Sequence, residues 1–321
     1  SIRRQRQMCI RDRANFATPA MKVTKSSVAA LRYLSALPRT INRDAESGYE
    51  AGYGSTVNVP MPVKATAATR TKAQRAARNA INYTDLTRQY VPVELADQIY
   101  SAVRLPSDWY TWTLQSFEDE VAKPTAEAVV DELPKKLAAL MTTIQASQAA
   151  DASAVAVDYT DAKALKLKSD SSNVLEVVAR LARVLNSREV PTSDRTIAVG
   201  PGVAEVIQKN RDLASAAYQA DGGDSLHEAI IGRLKGFTIV EDPRLPEKFG
   251  IAYQRDAFTM ALRAATVPLG ASYGANHAED GFALRLICDY DPDQAEDRAV
   301  VDAFFGAAVM DARRATAFGL A

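Results

Sequence analysis

The sequence predicts an α+β protein, and three stretches carry that prediction. From Val91 to Leu105 the apolar residues Val91, Val93, Leu95, Ile99, Val103 and Leu105 all fall on odd positions, the period-two pattern of an extended strand with one buried face. From Phe117 to Ile144, the positions Phe117, Val121, Ala128, Leu133, Leu137, Leu140 and Ile144 keep helical spacing. Beyond Asn173, helical stripes and short apolar runs alternate. With 321 residues, 47% hydrophobic and 24% charged, the chain is long enough for two lobes and too apolar to be disordered.

The N-terminal stretch Ser1–Arg13 holds five Arg and one Asp without periodicity; it resembles translated adapter sequence and is set aside from the fold. The remainder carries 34 basic and 38 acidic residues, net −4. Thr18-Pro19 is a helix start, with Val28, Leu31 and Leu34 at helical spacing until Pro38. Ala45 to Ser55 is rich in Gly and Tyr, and Thr56 to Val63, with two Pro, reads as an edge strand. Lys64 to Arg88 is nearly free of large apolar residues and holds Lys64, Arg70, Lys72, Arg75, Arg78 and Arg88 against Asp85 alone. No core can form from such a stretch. Strand, polar excursion and returning strand make a projecting hairpin.

The long helix that follows has an acidic front, with Glu118, Asp119, Glu120, Glu127, Asp131 and Glu132 against Lys123, which suits the positive end of a helix dipole. Pro124 and Pro134 must start, kink or divide it. Asn173 caps a helix with the stripe Val174, Leu175, Val178, Leu181 and Leu185. Thr196–Val199 is a short buried strand, and Gly200-Pro-Gly202 leads into another helix. Gly222-Gly223 breaks the chain, and Asp224 or Ser225 caps a short helix ending at Gly232. Gly236–Val240, Ala257–Leu262, Phe282–Ile287 and runs within Ala299–Phe318 read as strands.

Motifs for catalysis fail on inspection. His227 and His277 lie fifty residues apart with no Cys near either, so no zinc site is predicted. Val199-Gly-Pro-Gly-Val203 sits where a phosphate-binding turn would, but Glu205 stands at the third glycine position of the dinucleotide fingerprint. Asp289-Tyr-Asp-Pro-Asp293 resembles the start of a calcium loop, yet Gln294 replaces its glycine and Val300 its bidentate Glu. There is no G-x-S-x-G elbow. The sequence therefore predicts no catalytic residue, cofactor or metal. The apolar run Ala303–Met310 is too short to span a bilayer, and neither a membrane span nor a secretory signal is expected. With Cys9 set aside, the lone thiol Cys288 fits a reducing compartment.

Charge is the informative signal. A projecting excursion with six bases and a helix start with six acids do not readily serve one monomer, whereas they can serve a neighbour. Lys64, Arg70, Lys72, Arg75, Arg78 and Arg88 are the candidate contacts on one side, and Glu118, Asp119 and Glu120 on the other.

Five stretches carry a family resemblance: Gly54-Ser-Thr-Val-Asn-Val-Pro60, Phe117-Glu-Asp-Glu-Val-Ala-Lys-Pro124, Ile231-Gly-Arg-Leu-Lys-Gly-Phe237, Arg255-Asp-Ala-Phe-Thr-Met-Ala-Leu262 and Arg285-Leu-Ile-Cys-Asp-Tyr-Asp291. In this order they resemble the major capsid proteins of tailed bacteriophages, of the Hong-Kong-type shell fold and the Podoviridae coat-protein-like group. The resemblance implies an N-arm (14–55), an E-loop hairpin (56–105), a P-domain with a long spine helix (106–164) and a mixed α/β A-domain (165–245). Strands of 246–321 would return to the P-domain and the A-domain. It also implies hexamers and pentamers of an icosahedral shell that encloses double-stranded DNA without sequence-specific binding. Scaffolding, portal and decoration proteins would be partners, with assembly in the host bacterial cytoplasm and a final place in the virion. The rival readings are an encapsulin-type compartment, an α/β enzyme using the Gly200–Gly202 turn, and a DNA-binding protein, the last disfavoured by the net charge.

Overall fold

The computed structural model describes residues 37–48, 54–61, 67–78, 80, 81, 83, 85, 88–108, 117–150, 166–210, 230–279 and 282–320. The expected Thr18 helix, Lys64 and the helix start at Asp224 or Ser225 lie outside them.

Strand β1 (Thr56–Pro60) pairs antiparallel with β2 (Tyr90–Glu94), from Thr56↔Glu94 to Pro60↔Tyr90. This is the expected hairpin. The helix α1 (Lys72–Ala76) sits within its connection. The period-two run from Val91 to Leu105 is not one strand. It breaks at Leu95–Ala96, and β3 (Asp97–Pro106) joins a different sheet while keeping the alternation, with Ile99 and Leu105 buried.

A π-helical turn (Glu118–Ala122) leads into the spine helix α2 (Lys123–Ala150). Pro124 has no N–H to give to the turn before it, and widening to π geometry accommodates that loss. The Thr125 hydroxyl donates to the carbonyls of Val121 (2.8 Å) and Ala122 (2.9 Å). Pro134 is buried inside the helix, which continues through it. The buried stripe is Val121, Ala126, Val129, Val130, Leu133, Leu137, Met141 and Ile144. Ala128, expected on that stripe, is exposed, because the widened turn resets the phase of the helix that follows.

The second half supplies β4 (Lys166–Leu167), α3 (Val174–Ser187), β5 (Arg195–Val199), α4 (Pro201–Gln208), β6 (Ile230–Leu234), β7 (Phe237–Glu241), β8 (Phe249–Gln254), β9 (Phe258–Arg263), β10 (Tyr273–Glu279), β11 (Phe282–Asp291), β12 (Glu296–Val309) and β13 (Ala315–Leu320). One sheet runs β10-β11-β12-β3 with β9 also on β12, all antiparallel; a mixed six-stranded sheet runs β4-β13-β8-β5-β7-β6. The spine helix packs between the two sheets, sharing a core with Ile251, Tyr253 and Ala317 on one side and Leu286, Val301 and Phe305 on the other. Helices α3 and α4 cover the opposite face of the six-stranded sheet through Leu181, Leu185, Val203 and Ile207. Its strands β5 and β8 are therefore buried along their whole length, polar Arg195, Thr196 and Gln254 included.

Two further expectations need correction. Gly232 does not end a helix: it lies in the edge strand β6, at a shift of register against β7. Lys235 (φ 48°) and Gly236 (φ 85°) form the tight turn that returns the chain, so pairing with β7 wins over helix here. Asn173 does stand at the N-cap of α3 but does not cap it. Its side chain accepts from Lys168 N–H (2.9 Å) and donates to Lys166 O (2.9 Å), tying β4 to the helix start.

Candidate assembly surfaces

The basic residues gather on the hairpin connection. Thr71 caps α1 with a complete capping box: its side chain accepts from Gln74 N–H (3.3 Å), and the Gln74 side chain accepts from Thr71 N–H (2.9 Å). Lys72 and Arg75 project from this turn, Arg70 reaches Gln74 O (3.4 Å), and Arg78 ends it at a positive φ of 50°. Arg88 stands just before β2. Lys72, Arg75, Arg78 and Arg88 are exposed, Arg70 is half-buried, and every residue of α1 is exposed. So short a helix gains little from propensity alone, so the capping box supplies the local order. Tyr83 (91% exposed) and Ile81 (56%) share this connection, an unusual exposure for large apolar side chains.

The acids occupy another element. Glu118, Asp119 and Glu120 are consecutive on the π turn that opens the spine, and Glu120 is exposed. The fold thus keeps each sign together and places the two groups apart in sequence and on different elements.

Sequence reasoning missed the polar groups that tie the elements of the body together. The fully buried Asp302 on β12 accepts from Arg285 on β11 (Nε 2.8 Å, Nη2 2.5 Å) and from Gln98 on β3 (Nε2 2.5 Å). One carboxylate therefore joins three adjacent strands. Asp131 on the spine accepts from Arg244, which follows β7, and pairs with Lys135 (3.0 Å). The Arg244 hydrogen bond holds its carboxyl below the usual range. Asn42 bridges to Thr259 and donates to Asp256 (2.9 Å), fixing residues 37–48 to the start of β9. Thr40 bonds the hydroxyl of fully buried Tyr253, whose pKa burial pushes far up. The only sequence signal for these pairs was a charged residue inside an apolar run, which does not identify a partner.

The two glycines of the phosphate-like turn serve packing. A Cβ on Gly200 would stand 2.1 Å from Pro246 O, and one on Gly202 2.8 Å from Glu247 O. The Val203 N–H at the start of α4 donates to Glu247 O (3.2 Å). The chain's own 246–249 segment packs against this turn, and its carbonyls take the N–H groups of Gly200 and Val203. The Asp289–Asp293 stretch is the end of β11 and the first residues of the turn to β12: Asp291 accepts from Asp293 N–H (3.0 Å) and pairs with Arg298, while Asp289 accepts from Ser272 (2.7 Å). Among the described residues no cluster of His, Cys, Asp or Glu is arranged to hold a metal, and no helix is long and apolar enough to cross a membrane.

No protein-family model matches the chain, and no curated protein matches it in sequence. Solved structures do match in fold. One from Mycobacterium phage Che8 is 17% identical with a TM-score of 0.57, covering 87% of this chain and 89% of that one. The capsid structure of the Cyanophage P-SCSP1u is 12% identical with a TM-score of 0.54 over 84% of each chain. The asymmetric unit of the bacteriophage PhiM1 mature capsid is 11% identical with a TM-score of 0.51, over 84% of this chain and 83% of that one. The chain has the major capsid fold of tailed phages, the α+β shell fold that its sequence resembles.

Proposed function

We propose that this chain is a structural major capsid protein, self-assembling into an icosahedral shell that encloses double-stranded phage DNA. The observation that carries this reading is the match to phage capsid structures over most of the chain. It also favours the phage shell over an encapsulin-type compartment. The chain works by association and not by turnover: copies close into hexamers and pentamers, and the shell becomes part of the virion after assembly in the host cytoplasm. Scaffolding, portal and decoration proteins are the expected partners. Net −4 outside Ser1–Arg13 suits a container, because a lining that gripped phosphates would hinder packaging and release.

Within the shell, the basic connection from Lys64 to Arg88 lies over the acidic spine start of an adjacent subunit, facing Glu118, Asp119 and Glu120. Each exposed pair contributes only about 0.2–1 kcal/mol, so such contacts steer register while apolar burial, with Tyr83 and Ile81 as candidates, supplies affinity. The triple variant Glu118→Lys, Asp119→Lys, Glu120→Lys tests the contact. Its circular dichroism should match the parent, while the concentration needed for closed particles to appear in sedimentation rises roughly tenfold, the effect of about 1.4 kcal/mol per subunit. Unchanged particle yield from the variant contradicts the contact. A parent chain that stays monomeric, alone and with any co-encoded scaffold, contradicts the shell.

A further inference from the structure

The hairpin is seated on β12 at one point of close backbone approach. Strand β12 pairs with β3 as far as Phe305↔Asp97, so Gly306 is the first residue beyond that ladder. There the chain passing from β2 to β3 crosses it. A Cβ on Gly306 would stand 2.2 Å from Glu94 O, 2.8 Å from Glu94 C and 3.2 Å from Leu95 N, all of them backbone atoms. Beside this crossing, Leu95 N–H donates to Ser55 O (2.9 Å) and ties the two strands of the hairpin at their root. A small core of Ala45, Val59, Val93, Ala261 and Met310 underlies the junction.

We propose that Gly306 is the positioning residue of the hairpin: by letting the Glu94–Leu95 backbone lie directly on β12, it sets the direction in which the basic connection leaves the body. This rests on the shell reading for its consequence, since the hairpin's direction decides where it meets a neighbour. Any side chain at 306 forces the Glu94 carbonyl to retreat by roughly 1 Å to reach van der Waals contact. Pivoting on the Ser55–Leu95 bond, one strand spacing or about 4.8 Å away, that retreat is a tilt of roughly 10°. The Pro60–Tyr90 end lies about 13 Å along the strands and moves by about 2–3 Å. Inter-subunit contacts repeated around a closed ring do not absorb such a shift.

The test places spin labels at Asn58→Cys on β1 and Asp293→Cys at the far end of the five-stranded sheet, both exposed, in the full chain with Cys9 and Cys288 replaced by Ala. The parent should give one narrow distance distribution, and Gly306→Ala should move its mean by about 2–3 Å with unchanged circular dichroism. Shells of Gly306→Ala should differ in size or fail to close. An unmoved distance in Gly306→Ala overturns the proposal. If that variant does not fold, the parent decides: a narrow distribution supports a seated hairpin, and a broad one overturns it. Because the labelled monomer reports direction whether or not shells form, absence of shells bears on the capsid reading alone.

Discussion

Replacing Arg285 with Met removes the partner of a carboxylate that has no access to water. Asp302 is 0% exposed and is held by two Arg285 bonds of 2.8 and 2.5 Å and one Gln98 bond of 2.5 Å. The same guanidinium donates to Thr266 O (2.5 Å), pinning the segment that crosses the sheet. Arg285→Met leaves a buried charge facing one neutral donor, and breaking a buried pair in this way costs about 3–5 kcal/mol. At roughly 2 °C per kcal/mol for a chain of this size, the unassembled protein should melt about 6–10 °C lower. The double variant Arg285→Met, Asp302→Leu should recover most of that loss, because an apolar pair of similar volume avoids desolvating either charge. Thermal unfolding of parent, both single variants and the double variant gives the full cycle. A loss under about 1 kcal/mol for Arg285→Met, or a double variant no better than the single, refutes the reasoning.

Other consequences follow from ionisation. Asp131 titrates below its ordinary range because Arg244 bonds to it, so its contribution is present above about pH 4 and is lost as pH falls through the depressed folded value. Acid unfolding of Asp131→Asn should therefore show a shallower fall in stability below pH 4 than the parent, and superimposable curves would contradict the tie. Burial, with the charge of Asp297 adding, pushes the Cys288 thiol up to about 11. At pH 8 only about one in a thousand copies is then thiolate, so a thiol reagent should modify Cys288 slowly in the folded chain and rapidly in guanidinium. Equal rates in the two conditions would place Cys288 outside the core.

Periodicity made the long elements legible. The odd-position run Val91–Leu105 and the stripe through Leu133, Leu137 and Ile144 each reflect one buried face, and that face exists whatever the partner is. Partner choice was not legible. Nothing local in Leu95–Ala96 marks the point where one alternating run is shared between two sheets, since the residues before it pair with β1 and those after it with β12, a strand about two hundred residues away in sequence. Strand β8 was missed because a strand buried on both faces has no alternation to read, and Gly250 and Gln254 interrupt its apolar character. The helix expected to end at Gly232 failed for a related reason: Gly232 fits a helix end and a strand bulge equally well, and only pairing with β7 selects the latter. On the candidate surfaces, residue types gave the basic and acidic groups, while the capping box that holds Lys72 and Arg75 in one turn was spelled in Thr71 and Gln74 and passed unnoticed.

Electron microscopy with light scattering on the chain from Ala14 onward, expressed alone and with any co-encoded scaffold, addresses the central claim most directly. The account predicts closed shells in the megadalton range, with the hairpin of each subunit lying over the spine start of the next. A stable monomer or small oligomer under both conditions would contradict it.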